Sequence, residues 1–251
     1  MGDTIEILSR LPENSVDLVF ADPPYGLSKA KGLSWAFSKH VTLQESWDMF
    51  TQDDLYKFNL QWISEALRVL RPGGSFWACG SFHNIYQIGF IMQSLGMRIN
   101  NSIIWFKPNA QPNITTRMFT ESTEQLIWGV KNHSSIKWTF NYKDMKEMNG
   151  GKQMRNMWTI PVTPRKEKLA GDHPTQKPIE LLKRVILSSS IEGDTVLDPF
   201  LGSGTTSLVA EMERRNSVGI EISPEYMEII RKRIDGIREE RKEDELTVEF
   251  I

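Results

Sequence analysis

Two short stretches of this chain place polar groups directly after apolar runs. The first is Asp22-Pro23-Pro24-Tyr25, which follows the strand-like run VDLVFA. The prolines fix φ and carry no N–H, so the loop is stiff and presents acceptors only. The Asp22 carboxylate and the Pro23 carbonyl could each accept one N–H of an exocyclic amine, and Tyr25 offers a flat face for a planar base. For the tetrapeptide alone, an ordinary strand-ending turn is the alternative.

The second stretch, LDPFLGSGTTSLVAE, is typical of a strand that enters a Gly-Ser-Gly turn and then a helix. Glycine lets the backbone approach a ligand in such a turn, and the free N–H groups of the helix N-terminus attract negative charge. ATP is disfavoured, because Thr205 and Thr206 stand where a P-loop requires Lys and Ser or Thr. A nucleoside without polyphosphate fits, with Glu221 at the end of the next strand as an acidic partner for ribose hydroxyls. A tight turn with no ligand remains the alternative for Gly202 and Gly204.

Composition limits the class of protein. The 251 residues are 39% hydrophobic, enough for one large domain or for a core domain with one insertion. The net charge of -2 means that any nucleic-acid surface must be local. Cys79 is the only cysteine, which excludes an intrachain disulfide and a cysteine-rich zinc site. No apolar run approaches the roughly 20 residues that span a bilayer, so we expect a cytoplasmic protein without a membrane partner.

The elements that must position these motifs alternate between helix and strand. Asp3 with Glu6, and Thr51, predict helix starts by their capping patterns, and Ser223-Pro224 predicts another. Helices are also expected near 84–95, after Pro178 and from about Thr205. The predicted strands are VDLVFA (16–21), SFWACG (75–80), SIIWFK (102–107), TVLDPF (195–200) and SVGIEI (217–222). This alternation predicts an α/β fold with a mostly parallel, doubly wound sheet covered by helices on both faces.

The segment from about 131 to 172 has a different texture. It shows no sustained periodicity and contains a Gly150-Gly151 break, which predicts a small, loop-rich inserted region. Ten Lys and Arg stand against four Asp and Glu between Lys131 and Lys177, an excess of six in a slightly acidic chain. We expect its aromatic residues to build a minor core and its basic residues to contact DNA.

DPPY, the GSG turn and HPTQKP (173–178) together resemble one family over nearly the whole chain. This family comprises the DNA amino-methyltransferases of bacterial restriction-modification systems, which transfer a methyl group from S-adenosylmethionine to an exocyclic base nitrogen. The order of motifs resembles the circularly permuted β-class, and Asp before Pro-Pro-Tyr resembles its adenine-N6 members. SFHNIY, NYKDMKE and GKQMRNMWT are similar to a compact adenine subgroup associated with GATC-type systems.

The resemblance implies a Rossmann-like methyltransferase fold and a role for each part of the chain. Residues 1–130 would be the catalytic part, 131–172 an inserted target-recognition region, and 173–251 the cofactor-binding part. The catalytic loop would hold a flipped adenine with Asp22, Pro23, Pro24 and Tyr25. Expected around the cofactor, in addition to Asp22, are Asp3, His173, Thr175, Lys177, Asp198, Phe200, Gly202, Ser203, Gly204, Thr205, Glu221 and Ile222. Asp3 would accept the amino group of the cofactor's adenine, and His173, Thr175 and Lys177 would close its carboxylate end.

The expected partner is DNA, and two segments carry the candidate contacts. The glycine- and serine-bearing stretch after the catalytic loop holds Lys29, Lys31 and Lys39, and it could close over the flipped base. The inserted region supplies Lys152, Arg155, Arg165, Lys166 and Lys168. The resemblance also allows a homodimer and implies a cognate restriction endonuclease without a stable complex.

Two other functions stay open, and two more are disfavoured. A cytosine-N4 enzyme would present the same amine donors to DPPY, and a non-catalytic nucleic-acid-binding module could retain the cofactor pocket. A protein-glutamine methyltransferase is disfavoured by the same resemblance. Members of that family have Asn-Pro-Pro-Tyr in place of Asp-Pro-Pro-Tyr, and their motifs follow the unpermuted order. Cytosine-C5 methylation needs a thiolate, whereas Cys79 lies inside an apolar strand. Direct transfer to an amine needs neither a covalent intermediate nor a metal, and it yields S-adenosylhomocysteine.

The final residues, LTVEFI (246–251), predict a strand. A doubly wound sheet needs a strand before the first helix, and joining LTVEFI to MGDTIEIL would supply one. We therefore expect residues 246–251 to run parallel to SVGIEI, with the two chain ends close together.

Overall fold

The computed structural model describes residues 1–26, 50–113, 117–171, 173–240 and 248–250. Its helices are α1 (Thr4–Arg10), α2 (Gln52–Val69), α3 (Ile85–Ser94), α4 (Tyr142–Met148), α5 (Ile179–Ser189), α6 (Thr205–Met212) and α7 (Pro224–Glu240). Its strands are β1 (Val16–Ala21), β2 (Leu70–Gly80), β3 (Arg98–Phe106), β4 (Thr123–Val130), β5 (Met157–Thr159), β6 (Thr195–Asp198), β7 (Asn216–Gly219) and β8 (Val248–Phe250).

The strands form one sheet in the order β5-β3-β4-β2-β1-β6-β7-β8. β1 lies parallel to β2 on one side and to β6 on the other, and β7 continues the parallel part beyond β6. The carboxyl ends of β1, β6 and β7 therefore reach the same edge of the sheet. This edge is where ligands bind in open α/β folds. The predicted fold class, a mostly parallel sheet in an α/β protein, is confirmed.

Two strands were not predicted, β4 and the short β5. β4 runs antiparallel to both β2 and β3, so that its first residues lie at the carboxyl-end edge of the parallel strands. Its sequence, TEQLIWGV, alternates only weakly, and nothing in it indicates direction. The sheet is consequently mixed, and β4 brings Glu124 towards the DPPY loop.

Alternate residues of β1 pack on opposite faces of the sheet. Val19 belongs to a buried cluster with Trp62 of α2 and Ile88 of α3, whereas Leu18 belongs to a second cluster with Leu182 of α5. Both faces are apolar, which explains why residues 18–21 of VDLVFA are a continuous hydrophobic run rather than an alternating one. The strand that ends at Asp22 is thereby fixed from both sides.

Helix starts agree with the capping patterns. The Asp3 side chain accepts the Glu6 N–H at 3.0 Å, and Thr51 Oγ1 accepts the Asp54 N–H at 3.2 Å. The Tyr226 N–H donates to Ser223 Oγ at 3.4 Å in front of α7. These predictions are confirmed. Helix caps can be predicted from sequence because the two residues that form a cap are only three positions apart.

Several strand boundaries were wrong, and β6, for example, ends at Asp198 rather than at Phe200. β2 begins at Leu70 rather than Ser75, because Leu70 pairs with Val16 of β1 and the backbone of Gly73 and Gly74 pairs with Lys131. β3 begins at Arg98 rather than Ser102. β7 ends at Gly219, so Glu221 lies in the following loop and not at the end of the strand itself.

The region 131–172 is less independent than expected. It contains α4, β5 and a 3₁₀ turn at Arg165–Glu167, and β5 joins the main sheet beside β3. Trp158 is buried in the same cluster as Trp77, and Trp138 packs against that cluster. The expectation of a separate minor core was wrong, because these aromatic side chains complete the main core at the edge of the sheet.

The strand predicted at the chain's end is confirmed over Val248–Phe250, which pairs in parallel with β7. Phe250 lies opposite Gly219, and the Gly2 N–H donates to the Glu221 carbonyl at 3.0 Å. The first and last described residues thus meet at one end of β7, as predicted. None of the helices within the described residues has the length and apolar character needed to cross a membrane.

Candidate active site

A cavity of about 370 Å³ opens at the carboxyl-end edge of β1, β6 and β7. Its walls combine carboxylates with aromatic and aliphatic side chains, among them Phe20, Phe50 and Phe58. Most of the residues predicted around the cofactor line it, namely Asp3, Asp22, His173, Thr175, Lys177, Asp198, Phe200, Gly202, Ser203, Thr205, Glu221 and Ile222. Pro24 also lines the cavity, whereas Pro23, Tyr25 and Gly204 are not among its lining residues.

The DPPY loop is fixed by contacts among its own side chains and with Lys177. The Tyr25 hydroxyl donates to Asp22 Oδ1 at 2.9 Å, and Lys177 Nζ forms an ion pair with Asp22 Oδ2. Lys177 Nζ also lies 5.7 Å from the centre of the Tyr25 ring. Burial raises the pKa of Asp22, and the Lys177 ammonium opposes this rise. Burial lowers the pKa of Lys177, but Asp22 and Glu124 raise it well above its ordinary value, so this lysine stays protonated.

Glu124, which sequence reasoning missed, lies behind this loop. Its Oε2 lies 3.5 Å from Lys177 Nζ and 3.2 Å from the Tyr25 hydroxyl, whose single proton it shares with Asp22 Oδ1. Its Oε1 accepts a hydrogen bond from Lys107 Nζ at 3.1 Å. Burial raises the pKa of Glu124, yet the two lysines outweigh burial and lower it overall. Glu124 could have been indicated from sequence only if β4 and its antiparallel direction had been predicted.

Cys79 is fully buried beside the same group, 3.9 Å from the Tyr25 hydroxyl and 3.6 Å from Glu124 Oε2. Burial raises the pKa of its thiol well above the ordinary value, so the group stays protonated. The prediction of a buried structural thiol is confirmed.

The cofactor turn is built around Asp198. Its Oδ1 accepts the Phe200 N–H at 2.9 Å and its Oδ2 accepts the Thr206 hydroxyl at 2.5 Å. Burial raises the pKa of this carboxyl to about 7, and the two hydrogen bonds only partly oppose it. Gly202 and Gly204 have φ values of +54° and +80°, so glycine is needed for the backbone of the turn itself.

Arg233 of α7 supports the turn from behind and was also missed. Its Nη1 donates to the Ser203 carbonyl at 2.7 Å and to Thr205 Oγ1 at 3.0 Å. Burial lowers the pKa of this guanidinium to about 10. The side chain fixes the start of α6, and its position in an amphipathic helix gave no signal of this role.

Glu221 closes the cavity on the side of β7. Its carboxylate accepts the Gly202 N–H and the Ser223 N–H, each at 2.8 Å. Burial raises its pKa. Asp3 reaches the same cavity because Thr4 Oγ1 donates to the Pro199 carbonyl at 2.7 Å, which ties the start of α1 to the turn.

The HPTQKP segment forms the opposite wall. The Thr175 N–H donates to His173 Nδ1 at 3.3 Å, and the His173 ring lies 4.2 Å from that of Tyr226. Glu167 Oε2 accepts the Ile179 N–H at 2.9 Å, so a residue of the region 131–172 caps α5. Lys177 is thereby held beside Asp22 from a separate part of the chain.

The candidate DNA contacts divide into three groups. Lys29, Lys31 and Lys39 lie outside the described residues. Arg165, Lys166 and Lys168 follow the carboxyl end of β5, and Lys168 Nζ contacts the His173 carbonyl at 3.3 Å. Lys152 and Arg155 precede β5 and are exposed, on the far side of that strand from the catalytic edge. Over the described ranges, no group of three or more His, Cys, Asp or Glu side chains is arranged to hold a metal ion.

Comparison with known proteins connects this geometry to a family. A model described as DNA methylase matches residues 16–232. The chain is 45% identical over 240 residues to Type II methyltransferase M2.DpnII of Streptococcus pneumoniae, covering 95% of this chain and 89% of the relative. It is 42% identical over 238 residues to Type II methyltransferase M2.MboI of Moraxella bovis, covering 94% and 86%.

The chain is also similar in structure to solved DNA methyltransferases. The crystal structure of an M1.HpyAVI–SAM complex has 27% identity and a TM-score of 0.69, covering 93% of this chain and 97% of the other. The cytosine-N4-specific PvuII DNA methyltransferase has 21% identity and a TM-score of 0.73, covering 93% and 84%, which shows a shared fold. The DPPY loop, the GSG turn and the cavity between them thus occur in a chain that belongs to the DNA methylase family.

Proposed function

We propose that the protein transfers a methyl group from S-adenosylmethionine to the N6 amine of adenine in DNA. The observation that carries this proposal is the Asp22 carboxylate at the rim of a nucleoside-sized cavity, on a loop whose two prolines offer acceptors and no donors. Asp before Pro-Pro-Tyr favours adenine over cytosine by resemblance. The family match supports the transfer of a methyl group to DNA but leaves the base open.

The cavity fits the proposed cofactor chemically. Carboxylates of Asp3 and Glu221 suit an amino group and ribose hydroxyls, and Phe200 and Ile222 supply apolar surface for a purine. Asp22 and Asp198 give the interior an acidic character that suits a cation. His173, Thr175 and Lys177 would hold the amino-acid end, with Ser203, Gly204 and Thr205 around the methionine part. S-adenosylmethionine supplies a methyl group on a positively charged sulfur.

The residues of the chain would prepare the amine for attack. An exocyclic amine is a poor nucleophile because its lone pair is conjugated with the ring. The Asp22 carboxylate and the Pro23 carbonyl would each accept one N–H, which directs the lone pair out of the ring plane. Tyr25 would stack on the flipped base while its hydroxyl stays on Asp22. Catalysis would rest on positioning and on these fixed acceptors.

One experiment identifies the base. The purified protein is incubated with cofactor and defined oligonucleotides, single- and double-stranded, with and without GATC, and the DNA is digested to nucleosides for mass spectrometry. We expect N6-methyladenine. Formation of N4-methylcytosine would replace the proposal with the cytosine enzyme, and no transfer to any substrate would favour the non-catalytic binding module.

Replacing Asp22 with alanine should abolish methyl transfer but leave much of the cofactor affinity, because the acceptor acts mainly on the amine in the transition state. Single-turnover rates and cofactor titrations measure the two effects. Full turnover by Asp22→Ala contradicts the proposed role.

Tyr25→Phe should be milder than Tyr25→Ala in the same single-turnover assay, because the phenylalanine ring retains the stacking face. Equal losses for the two variants would assign the effect of Tyr25 to its hydroxyl instead.

DNA contact by residues 131–172 and by the segment after the catalytic loop remains part of this proposal. A cytoplasmic location, a homodimer and the absence of a stable complex with an endonuclease remain predictions as well. Size-exclusion chromatography with light scattering tests the assembly.

A further inference from the structure

Glu124 shares its partners with the catalytic carboxylate. Tyr25 and Lys177 both contact Asp22, and both also contact Glu124. The Glu124 side chain is 17% exposed and stands at the start of β4, the antiparallel strand, whereas Asp22 follows parallel β1. The carboxylates of Asp22 and Glu124 thus contact the same Lys177 ammonium and the same Tyr25 hydroxyl, although one follows a parallel strand and the other begins an antiparallel one.

The charges in this group balance. Asp22 and Glu124 carry the negative charges, and Lys177 and Lys107 carry the positive ones. Lys107 begins the connection from β3 to β4, and its N–H donates to the Ser122 carbonyl at 2.8 Å, which closes that connection at its base. Glu124 therefore holds one lysine on each side, and only Lys177 reaches Asp22.

We propose that Glu124 is a positioning residue for methyl transfer, which divides the Lys177 ammonium between two carboxylates and fixes the Tyr25 hydroxyl. Without Glu124, Lys177 would pair with Asp22 alone. A fully neutralised carboxylate is a weaker acceptor for the N–H of a base. The proposal rests on the proposed role of Asp22 as that acceptor.

The electrostatic consequence has a definite sign. The charged and titratable groups around Asp22 are Lys177, Glu124, Tyr25, Cys79 and Asp198. Among them, the Glu124 carboxylate raises the pKa of Asp22. Removing the Glu124 charge should lower the pKa of Asp22. Removing Lys107 should leave the negative charge of Glu124 less neutralised and so raise the pKa of Asp22.

The test variant is Glu124→Gln, which keeps the shape and one oxygen acceptor. Its single-turnover rate, measured with bound DNA and saturating cofactor, should fall about 10- to 100-fold, the range for loss of a hydrogen bond to a charged group. The acid limb of its pH–rate profile should move to lower pH. The cofactor dissociation constant should stay within about twofold and the melting temperature should be kept, because Glu124 does not line the cavity.

Lys107→Gln is the matched variant, and its acid limb should move to higher pH. Acid limbs that move in opposite directions in the two variants support the proposal. If Glu124→Gln is folded and binds cofactor but is too slow for a pH–rate profile, a move of the Lys107→Gln acid limb to higher pH supports it alone. A wild-type rate and limb in Glu124→Gln, limbs that move in the same direction, or lost cofactor binding would overturn it. Asp22→Ala in the same assay separates the two claims, because its full activity would remove the proposed function itself.

Discussion

Replacing Asp198 with asparagine should remove a pH-dependent loss of stability from the cofactor-free protein. The carboxyl lies in the interior and is 3% exposed. Its Oδ1 accepts a backbone N–H and its Oδ2 accepts the Thr206 hydroxyl. An amide can retain both contacts, since a hydroxyl can accept as well as donate. Asp198→Asn therefore changes the ability to ionise with little change in shape.

The magnitude follows from proton linkage. Burial raises the pKa of Asp198 from 3.8 to about 7 in the folded protein. The folded state therefore binds this proton more tightly than the unfolded chain does, so the associated stability is present at low pH and is lost as the pH rises through 7. Between about pH 5.5 and about pH 8.5 the loss is about 2 kcal/mol.

Urea unfolding of wild type and Asp198→Asn at the two pH values measures this difference. Groups with shifted pKa values that do not interact with Asp198 are common to both proteins and cancel in the comparison. Asp22 and Glu221 raise the pKa of Asp198, so their contributions cancel only in part. Thr206→Val is the matched variant. It removes a donor that lowers the pKa of Asp198, so its loss on raising the pH should exceed that of wild type. If wild type and Asp198→Asn lose the same free energy of unfolding, the linkage argument is wrong.

Two further predictions concern the chain's end and the DNA surface. Deleting residues 246–251 removes the strand beside β7 and should lower both the melting temperature and the affinity for S-adenosylmethionine; unchanged values for both would refute its structural role. Neutralising Arg165 with Lys166, beyond the catalytic end of β5, should weaken DNA binding and flatten its salt dependence. Neutralising Lys152 with Arg155, on the other side of β5, provides the comparison, and a pair whose loss leaves the salt slope unchanged does not contact phosphates.

The sequence determined those parts of the protein that contiguous residues encode. The caps at Asp3 and Thr51, the buried strand before Asp22 and the glycine turn each depend on groups within a few positions of one another. The strand at the chain's end was also predictable, because β-branched and apolar alternation is local. For the same reason the DPPY and GSG motifs indicated an amine acceptor and a nucleoside site before any contact was known.

Only the tertiary structure decided what surrounds those motifs. Lys177 meets Asp22 across 155 positions of sequence, and Glu124 meets Tyr25 across 99. The Glu124 contact requires that β4 run antiparallel beside β2 and β3, a choice of strand order and direction that hydrophobic periodicity does not encode. The Lys177 contact requires that the segment before α5 return to the carboxyl end of β1. Arg233 behind the GSG turn depends likewise on how α7 packs against α6. Long-range packing thus set the charge state and the orientation of the catalytic loop, whereas local sequence had set only its chemistry.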